Sequence, residues 1–175
     1  MNDIYLRELT QNDLPTINEW RNDPEVIRLL GANFHFIGPA VDAKWFVDYL
    51  ANRNSAVRLA IVTSESDIFI GLVNLTSIHA INRSAEFSIM LGNKEFWSKG
   101  IGHKATNLML HHGFHDLNLH RIYLTVLLTN SRAIKLYKNL DFKEEGTHID
   151  AVFKEGRFCD LMSMALLKAD FYVNS

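Results

Sequence analysis

The chain has 175 residues and a mass of 20.1 kDa, room for one domain with a substantial core and too little for two. Its 47% hydrophobic content, 22% charged content and net charge of −2 exclude bulk disorder and a strongly basic nucleic-acid footprint. A single cysteine, Cys159, excludes an internal disulfide framework and a cysteine-based zinc site.

The opening MNDIYLRELTQND lacks the apolar stretch of a signal peptide, and no apolar run of ~20 residues follows. The expectation is a single cytoplasmic domain over residues 1–175, with neither a membrane nor a nucleic acid as partner.

Ile4–Leu9 alternates apolar and polar residues like a short strand. Thr10 to Asp13 offers capping residues ahead of Leu14, Ile17 and Trp20, which are spaced for one helix face. Pro24 suits the first turn of a second helix through Leu30. Gly31–Asp42 reads as a loop, and Ala43–Asn52 as a helix burying Trp45, Phe46, Tyr49 and Leu50. Val57–Thr63 and Ile68–Ile78 read as two strands of a hairpin. After a turn at Asn82-Arg83, Ala85, Phe87, Ile89 and Leu91 alternate as the buried face of another strand. That pattern puts Glu86, Ser88 and Met90 on its opposite face. A helical stripe runs from Gly102 to about Leu117, and Ile122–Leu128 reads as a central strand. Asn130–Leu140 is a short helix, and Phe142–Glu145, Ala151–Lys154 and Leu161–Leu167 are three further strands. Mixed α/β, with helices packed about one sheet, is the natural architecture.

Two stretches carry chemistry. In Trp97-Ser98-Lys99-Gly100-Ile101-Gly102-His103, two glycines follow a strand and open a helix. There the backbone N–H groups lack intrahelical acceptors and the dipole favours an anion. A tight turn without a ligand reads the same residues equally well. It is neither a Walker loop, lacking Gly-Lys-Ser/Thr, nor the dinucleotide fingerprint, lacking the third glycine. In Asn130-Ser131-Arg132-Ala133-Ile134-Lys135-Leu136-Tyr137, Asn130 sits at an N-cap and Tyr137 two turns later on much the same face. Capping and core packing would account for each alone.

Together, a strand, W-S-K-G-I-G, a helix, a strand and N-x-x-A-x-x-L-Y resemble the GNAT superfamily of acetyl-CoA-dependent N-acetyltransferases. LRELTQNDLPTINEWRNDPEV, INRSAEF, LNLHRIYLTV, AIKLYKNLDFKEEG and FKEGRFCDLMSMALL are similar to the branch that includes the RimJ/RimL protein acetyltransferases and spermidine N-acetyltransferases. The resemblance spans roughly Ile4 to Leu167. It implies a mixed α/β fold with a mostly antiparallel twisted sheet, splayed in the middle and flanked by helices on both faces. Two departures stand out. Trp97 replaces a common Gln or Arg, and Asp141 replaces the glycine that usually precedes the phenylalanine of L-D-F. Asp141 would then occupy a positive-φ position that costs a non-glycine some strain.

The resemblance implies acetyl-CoA as co-substrate and no metal. The amides of Ser98, Lys99, Gly100, Ile101, Gly102 and His103 would hold its pyrophosphate, and the strand edge at Met90–Leu91 would pair with the pantetheine arm. Asn130 would hydrogen-bond the cofactor, and Tyr137 would protonate the leaving sulfur. Glu86, projecting away from the apolar set beside the thioester, would bind or deprotonate the amine; a solvated carboxylate or an ion pair with Arg83 is its plain alternative. Trp20 and Arg21 belong to the helices that usually wall the acceptor pocket, and His35 and His79 are placed as further acceptor contacts. His111 and His115 share a helix face, yet no acidic third ligand accompanies them. The acceptor would be a protein N-terminus, a small amine or an amino sugar. A polyamine is weakened because Gly31–Asp42 carries one acidic residue, Asp42. A homodimer is compatible with the sequence, and a non-catalytic acyl-CoA-binding module is the alternative function.

Overall fold

The computed structural model describes residues 3–173. In chain order the elements are β1 (Ile4–Glu8), α1 (Leu14–Arg21), α2 (Pro24–Arg28), α3 (Pro39–Ala51), β2 (Val57–Thr63), β3 (Phe69–His79) and β4 (Ser84–Leu91). There follow α4 (Ile101–His111), β5 (Arg121–Leu127), α5 (Ser131–Lys138), β6 (Lys143–Lys154), β7 (Arg157–Leu167) and α6 (Lys168–Val173). The seven strands make one sheet in the order β1-β2-β3-β4-β5-β7-β6. All neighbours are antiparallel except β4 and β5, which run parallel.

The β4–β5 pair is also the shortest. Ser84, Ala85 and Glu86 lie opposite Arg121, Ile122 and Tyr123, and the pairing then ends. β4 continues to Leu91 with no β5 partner, so the sheet opens in its middle. The mixed α/β fold with a splayed, mostly antiparallel sheet is therefore present.

Alternation divides the sheet into two faces. Val73, Leu75, Ala85, Phe87, Ile122 and Leu124 face α4 and α5, joining Ile101, Met109 and Tyr137 in the larger core. Ala60, Val62, Leu72 and Met90 face the N-terminal helices, joining Ile17, Trp20, Phe46 and Tyr49. Each helix buries its apolar stripe on one side of the sheet only.

Local chemistry sets the boundaries. Asp23 caps α2 by accepting the Glu25 amide at 2.9 Å, and Asn130 caps α5 by accepting the Ala133 amide at 3.1 Å. α3 begins at Pro39, four residues before the expected Ala43, because extended Gly38 and a proline at N1 start the helix early. β6 is one strand of 12 residues, not two. Its pairing with β7 shifts at Glu144/Gly146 and again at His148/Val152, and those breaks interrupt the sequence alternation. The helix after Gly102 ends as a π turn over His112–Asp116, and α6 was not read from the sequence. No helix among the described residues is long and apolar enough to cross a membrane.

One glycine anchors the N-terminal layer. A Cβ on Gly92 would meet Trp20 Cδ2 at 1.8 Å, so the indole lies directly on the end of β4. Gly92→Ala is therefore expected to cost about 2 kcal/mol, within the range for overpacking, and a urea titration of both proteins would measure it.

Candidate functional site

The elements that flank the splay carry three groups of candidate residues. The first is the turn into α4. Ser98 and Gly100 both have left-handed backbone, with φ of 63° and 77°. Among the described residues, the amides of Ser98, Lys99, Gly100, Ile101 and Gly102 donate to no backbone carbonyl, whereas the His103 and Lys104 amides return to the Gly100 carbonyl at 3.1 and 3.2 Å. Five successive unbonded donors at the positive end of an 11-residue helix form an anion-binding concavity.

The two glycines do different work here. A Cβ on Gly100 would meet nothing within 4 Å, so its role is conformational. A Cβ on Gly102 would come 3.0 Å from Leu136 Cδ1, so that glycine gives α5 room to approach α4. Trp97, in place of the polar residue, donates its indole N–H to the Leu91 carbonyl at 2.7 Å, tying the turn to the open end of β4. That carbonyl lies on the Met90–Leu91 segment expected to face the pantetheine arm.

The second group lies on the α4–α5 side. Tyr137 is 7% exposed, its ring edge-on to Phe87 at 6.1 Å and tilted against Phe142 at 5.6 Å. Burial pushes its phenol far above the ordinary value of about 10. No described residue hydrogen-bonds its hydroxyl, and Arg58 Nε alone is a sealed side-chain polar atom without a partner among the described residues. The phenol oxygen thus keeps its edge of exposure and stays protonated at neutral pH. Asn130, at the head of the same helix, also donates Nδ2 to the Leu29 carbonyl at 2.9 Å. It joins the start of α5 to the end of α2.

The third group lies on the opposite face of β4. Glu86 is half-buried at the last β4–β5 pair, beside Thr76 and Tyr123. Its carboxylate has neither an ion pair nor a hydrogen-bond partner among the described residues; Arg83 does not reach it. Phe87, the next residue, contacts Tyr137 on the other face. Glu86 and Tyr137 therefore flank the opening from its two sides. Met90 is buried against the N-terminal layer, and Leu91 packs toward α4 and α5.

The remaining expected acceptor residues disperse. Trp20 is 8% exposed and packs on Gly92 and on Phe69 at 4.8 Å, a core position. Arg21 pairs with fully buried Asp42 and lies 5.7 Å from the Trp45 ring centroid. His35 is exposed on the loop before α3. His79 accepts the Asn82 amide at 3.1 Å through Nδ1, which occupies it with the β3–β4 turn. His111 stacks on His115 at 5.1 Å, while His112 and His115 both contact Asp116 at 2.7 Å, around the π turn and away from the splay. No group of three metal-ligating side chains exists among the described residues.

Arg58 is the residue of this face that the sequence does not single out, and Trp45, expected as a buried residue of its helix, is the ring beside its guanidinium. Arg58 lies in a strand whose two faces are both largely apolar, so alternation carried no signal for it.

Known proteins match this geometry. Residues 3–143 match the acetyltransferase (GNAT) domain family. A spermidine N(1)-acetyltransferase of Vibrio cholerae is 32% identical over 171 residues, spanning 96% of this chain and 95% of that protein. An uncharacterised N-acetyltransferase of Bacillus licheniformis is 30% identical, spanning 96% and 94%. Among solved structures, the Vibrio cholerae spermidine N-acetyltransferase in complex with CoA and spermine superposes with a TM-score of 0.91 at 30% identity, covering 97% of this chain and 98% of that one.

Proposed function

This chain belongs to the GNAT family of acetyl-CoA-dependent N-acetyltransferases, and we propose that it acetylates a primary amine by direct attack across the splay of its sheet, with Glu86 and Tyr137 acting from opposite sides. The observation that carries this reading is the pair itself. A carboxylate without a protein partner lies on β4 where the sheet opens, and a neutral phenol without a protein partner lies on α5 against Phe87, the next residue of that strand.

Acetyl-CoA supplies an acetyl thioester. The five unbonded amides from Ser98 to Gly102 fit its pyrophosphate, because they offer converging donors where the helix dipole favours negative charge. Asn130, which gives one amide hydrogen to the Leu29 carbonyl, keeps its second for the cofactor. Glu86 Oε holds the acceptor as an ammonium and takes one proton from it, directly or through water, which frees the lone pair that forms the N–C bond. The second nitrogen proton leaves as the tetrahedral adduct collapses and, through water, restores the phenol that gave its proton to sulfur. Tyr137 Oη delivers a proton to the sulfur as the C–S bond breaks. Burial favours the neutral phenol that this role needs.

The acceptor in this reading is a protein N-terminus, a small amine or an amino sugar. Cytoplasmic action is consistent with Cys159 remaining a free thiol. The test is acetyl-CoA protection against thermal unfolding, followed by release of free thiol across a panel of amines. Binding without thiol release from any amine would favour the non-catalytic module.

The cradle has its own probe. Gly100→Asp keeps a residue type that tolerates left-handed backbone, meets no neighbour within 4 Å, and brings a negative charge to the diphosphate. Coenzyme A affinity is expected to fall at least tenfold, or about 1.4 kcal/mol, with a separate folding cost of about 1 kcal/mol for the left-handed backbone. Titration calorimetry on the folded variant measures it, and unchanged affinity would remove the turn from the cofactor site.

A further inference from the structure

The face of the sheet that carries Glu86 also carries a guanidinium that no carboxylate neutralises. Arg58 on β2 sits opposite Asn74, which sits opposite Ser88 on β4. The next row of the same face holds Thr76 and Glu86. The Arg58 guanidinium lies 5.1 Å from the Trp45 ring centroid and 5.8 Å from that of Tyr49. Its one polar contact is long, Nη1 to Asn74 Oδ1 at 3.4 Å, and Nε is sealed from solvent with no partner.

The surrounding charges are spoken for. Arg21 pairs with Asp42, Arg53 with Glu8 at 2.7 Å, and Lys44 with Asp48 at 2.8 Å. Burial most of all, opposed by Tyr49 and aided by the nearby Arg21 charge, disfavours the cationic form of Arg58, so an anion arriving here would relieve a cost the fold now bears. A cavity of about 190 Å³ opens beside the guanidinium, lined by Trp45, Tyr49, Asn52 and Ala56 among others. Asp48 also lines it, held by Lys44. The cavity is smaller than a drug-sized ligand pocket of ~300–1,000 Å³ and suits the tail of a small molecule.

Building on the proposed acetyl transfer, we infer that Arg58 is a specificity-determining residue that receives the carboxylate of the acceptor. The substrate class is then a small primary amine that also carries a carboxylate, an ω-amino acid or a short peptide. Two strand spacings of ~4.8 Å separate β2 from β4, which sets the amine and carboxylate on the order of 10 Å apart. One unneutralised guanidinium matches a monoanionic carboxylate better than a dianionic phosphate. The same charge repels a polycation, so spermidine is a poor acceptor here, unlike in the Vibrio cholerae relative whose name it gives.

The experiment uses 6-aminohexanoate, hexylamine and spermidine as acceptors, comparing wild type with Arg58→Met. In wild type, kcat/KM for 6-aminohexanoate is expected to exceed that for hexylamine and spermidine at least tenfold. In Arg58→Met, the ratio of acid to hexylamine is expected to fall to near one. A wild-type preference for spermidine or hexylamine overturns the inference and needs no variant. An equal loss on both probes in Arg58→Met also overturns it, since that marks a packing role against Trp45. Binding separates this from the parent reading. Hexanoate should raise the wild-type Tm and lose that effect in Arg58→Met. If no amine is acetylated while that Arg58-dependent shift persists, the acetyl-transfer reading fails and the carboxylate site stands.

Discussion

Tyr137→Phe is expected to lower turnover about 10²-fold, the low end for general acid catalysis, while leaving the fold and the acetyl-CoA affinity in place. The ring does the packing, against Phe87 and Phe142, and phenylalanine keeps the ring. The hydroxyl makes no hydrogen bond among the described residues, so its removal strands no buried partner and carries none of the usual penalty for one. What the proposed mechanism loses is the proton that Tyr137 gives to the departing sulfur. Because burial raises the phenol far above its ordinary value, the group stays protonated throughout the working range. Wild-type turnover should therefore show no falling limb from Tyr137 up to at least pH 9. Steady-state kinetics with a thiol-reactive dye, beside calorimetric titration of acetyl-CoA, separates the outcomes. Normal turnover in the variant would mean that solvent or another side chain protonates the thiolate.

Much of this site was legible in the sequence because it rests on local rules. Alternation along β4 put Glu86 opposite Phe87, and the register with β3 and β5 bears that out. The glycine turn and the Asn130 cap are short-range chemistry, and both appear where the residues placed them. Asp141 indeed adopts φ of 64°, as its position before Phe142 required. The parts that were not legible depend on contacts between distant segments. Trp20 is a core residue because Gly92 lets it in, 72 positions away by sequence number. The β6 segment KEEGTHIDAVFK is exposed over most of its length, so no alternation marks it as one edge strand. Arg58 acquires meaning only when α3 lays Trp45 and Tyr49 over it.

The position of Arg58 also separates the cofactor side of the proposed site from its acceptor side. Fold and cofactor turn follow from the splayed sheet and the left-handed residues at Ser98 and Gly100, features independent of the acceptor. In the proposed reading, the acceptor side is formed by the residues that α1 to α3 and β2 bring to the other face. In this chain those residues include two guanidiniums about the Trp45 ring, Arg21 and Arg58, with a carboxylate on only the first. In the proposed reading, a site for a polycation such as spermidine would need a second carboxylate where Arg58 stands, beside the one that Glu86 offers to the reacting ammonium.

Glu86→Gln isolates the charge and basicity of that carboxylate, because the amide keeps its shape and much of its hydrogen bonding. An alkyl amine resembles lysine, with a pKa of about 10, and arrives mostly as an ammonium at neutral pH. Only its neutral form has the lone pair that attacks the thioester carbon. The enzyme must therefore attract a cation and then remove one proton from it, and Glu86 is the unpaired carboxylate at the opening that can do both. Loss of the carboxylate is expected to cut kcat/KM by about 10²-fold near pH 7, of the order that positioned proton transfer contributes. Raising the pH supplies more neutral amine from solution, which replaces what Glu86 does. The ratio of wild-type to variant rate should accordingly shrink as pH rises from 6 to 9. A ratio that stays constant over that range would make Glu86 an orienting group that handles no proton. A ratio of one at every pH would return it to an ordinary strand carboxylate, and the base would then be sought in water reaching the splay.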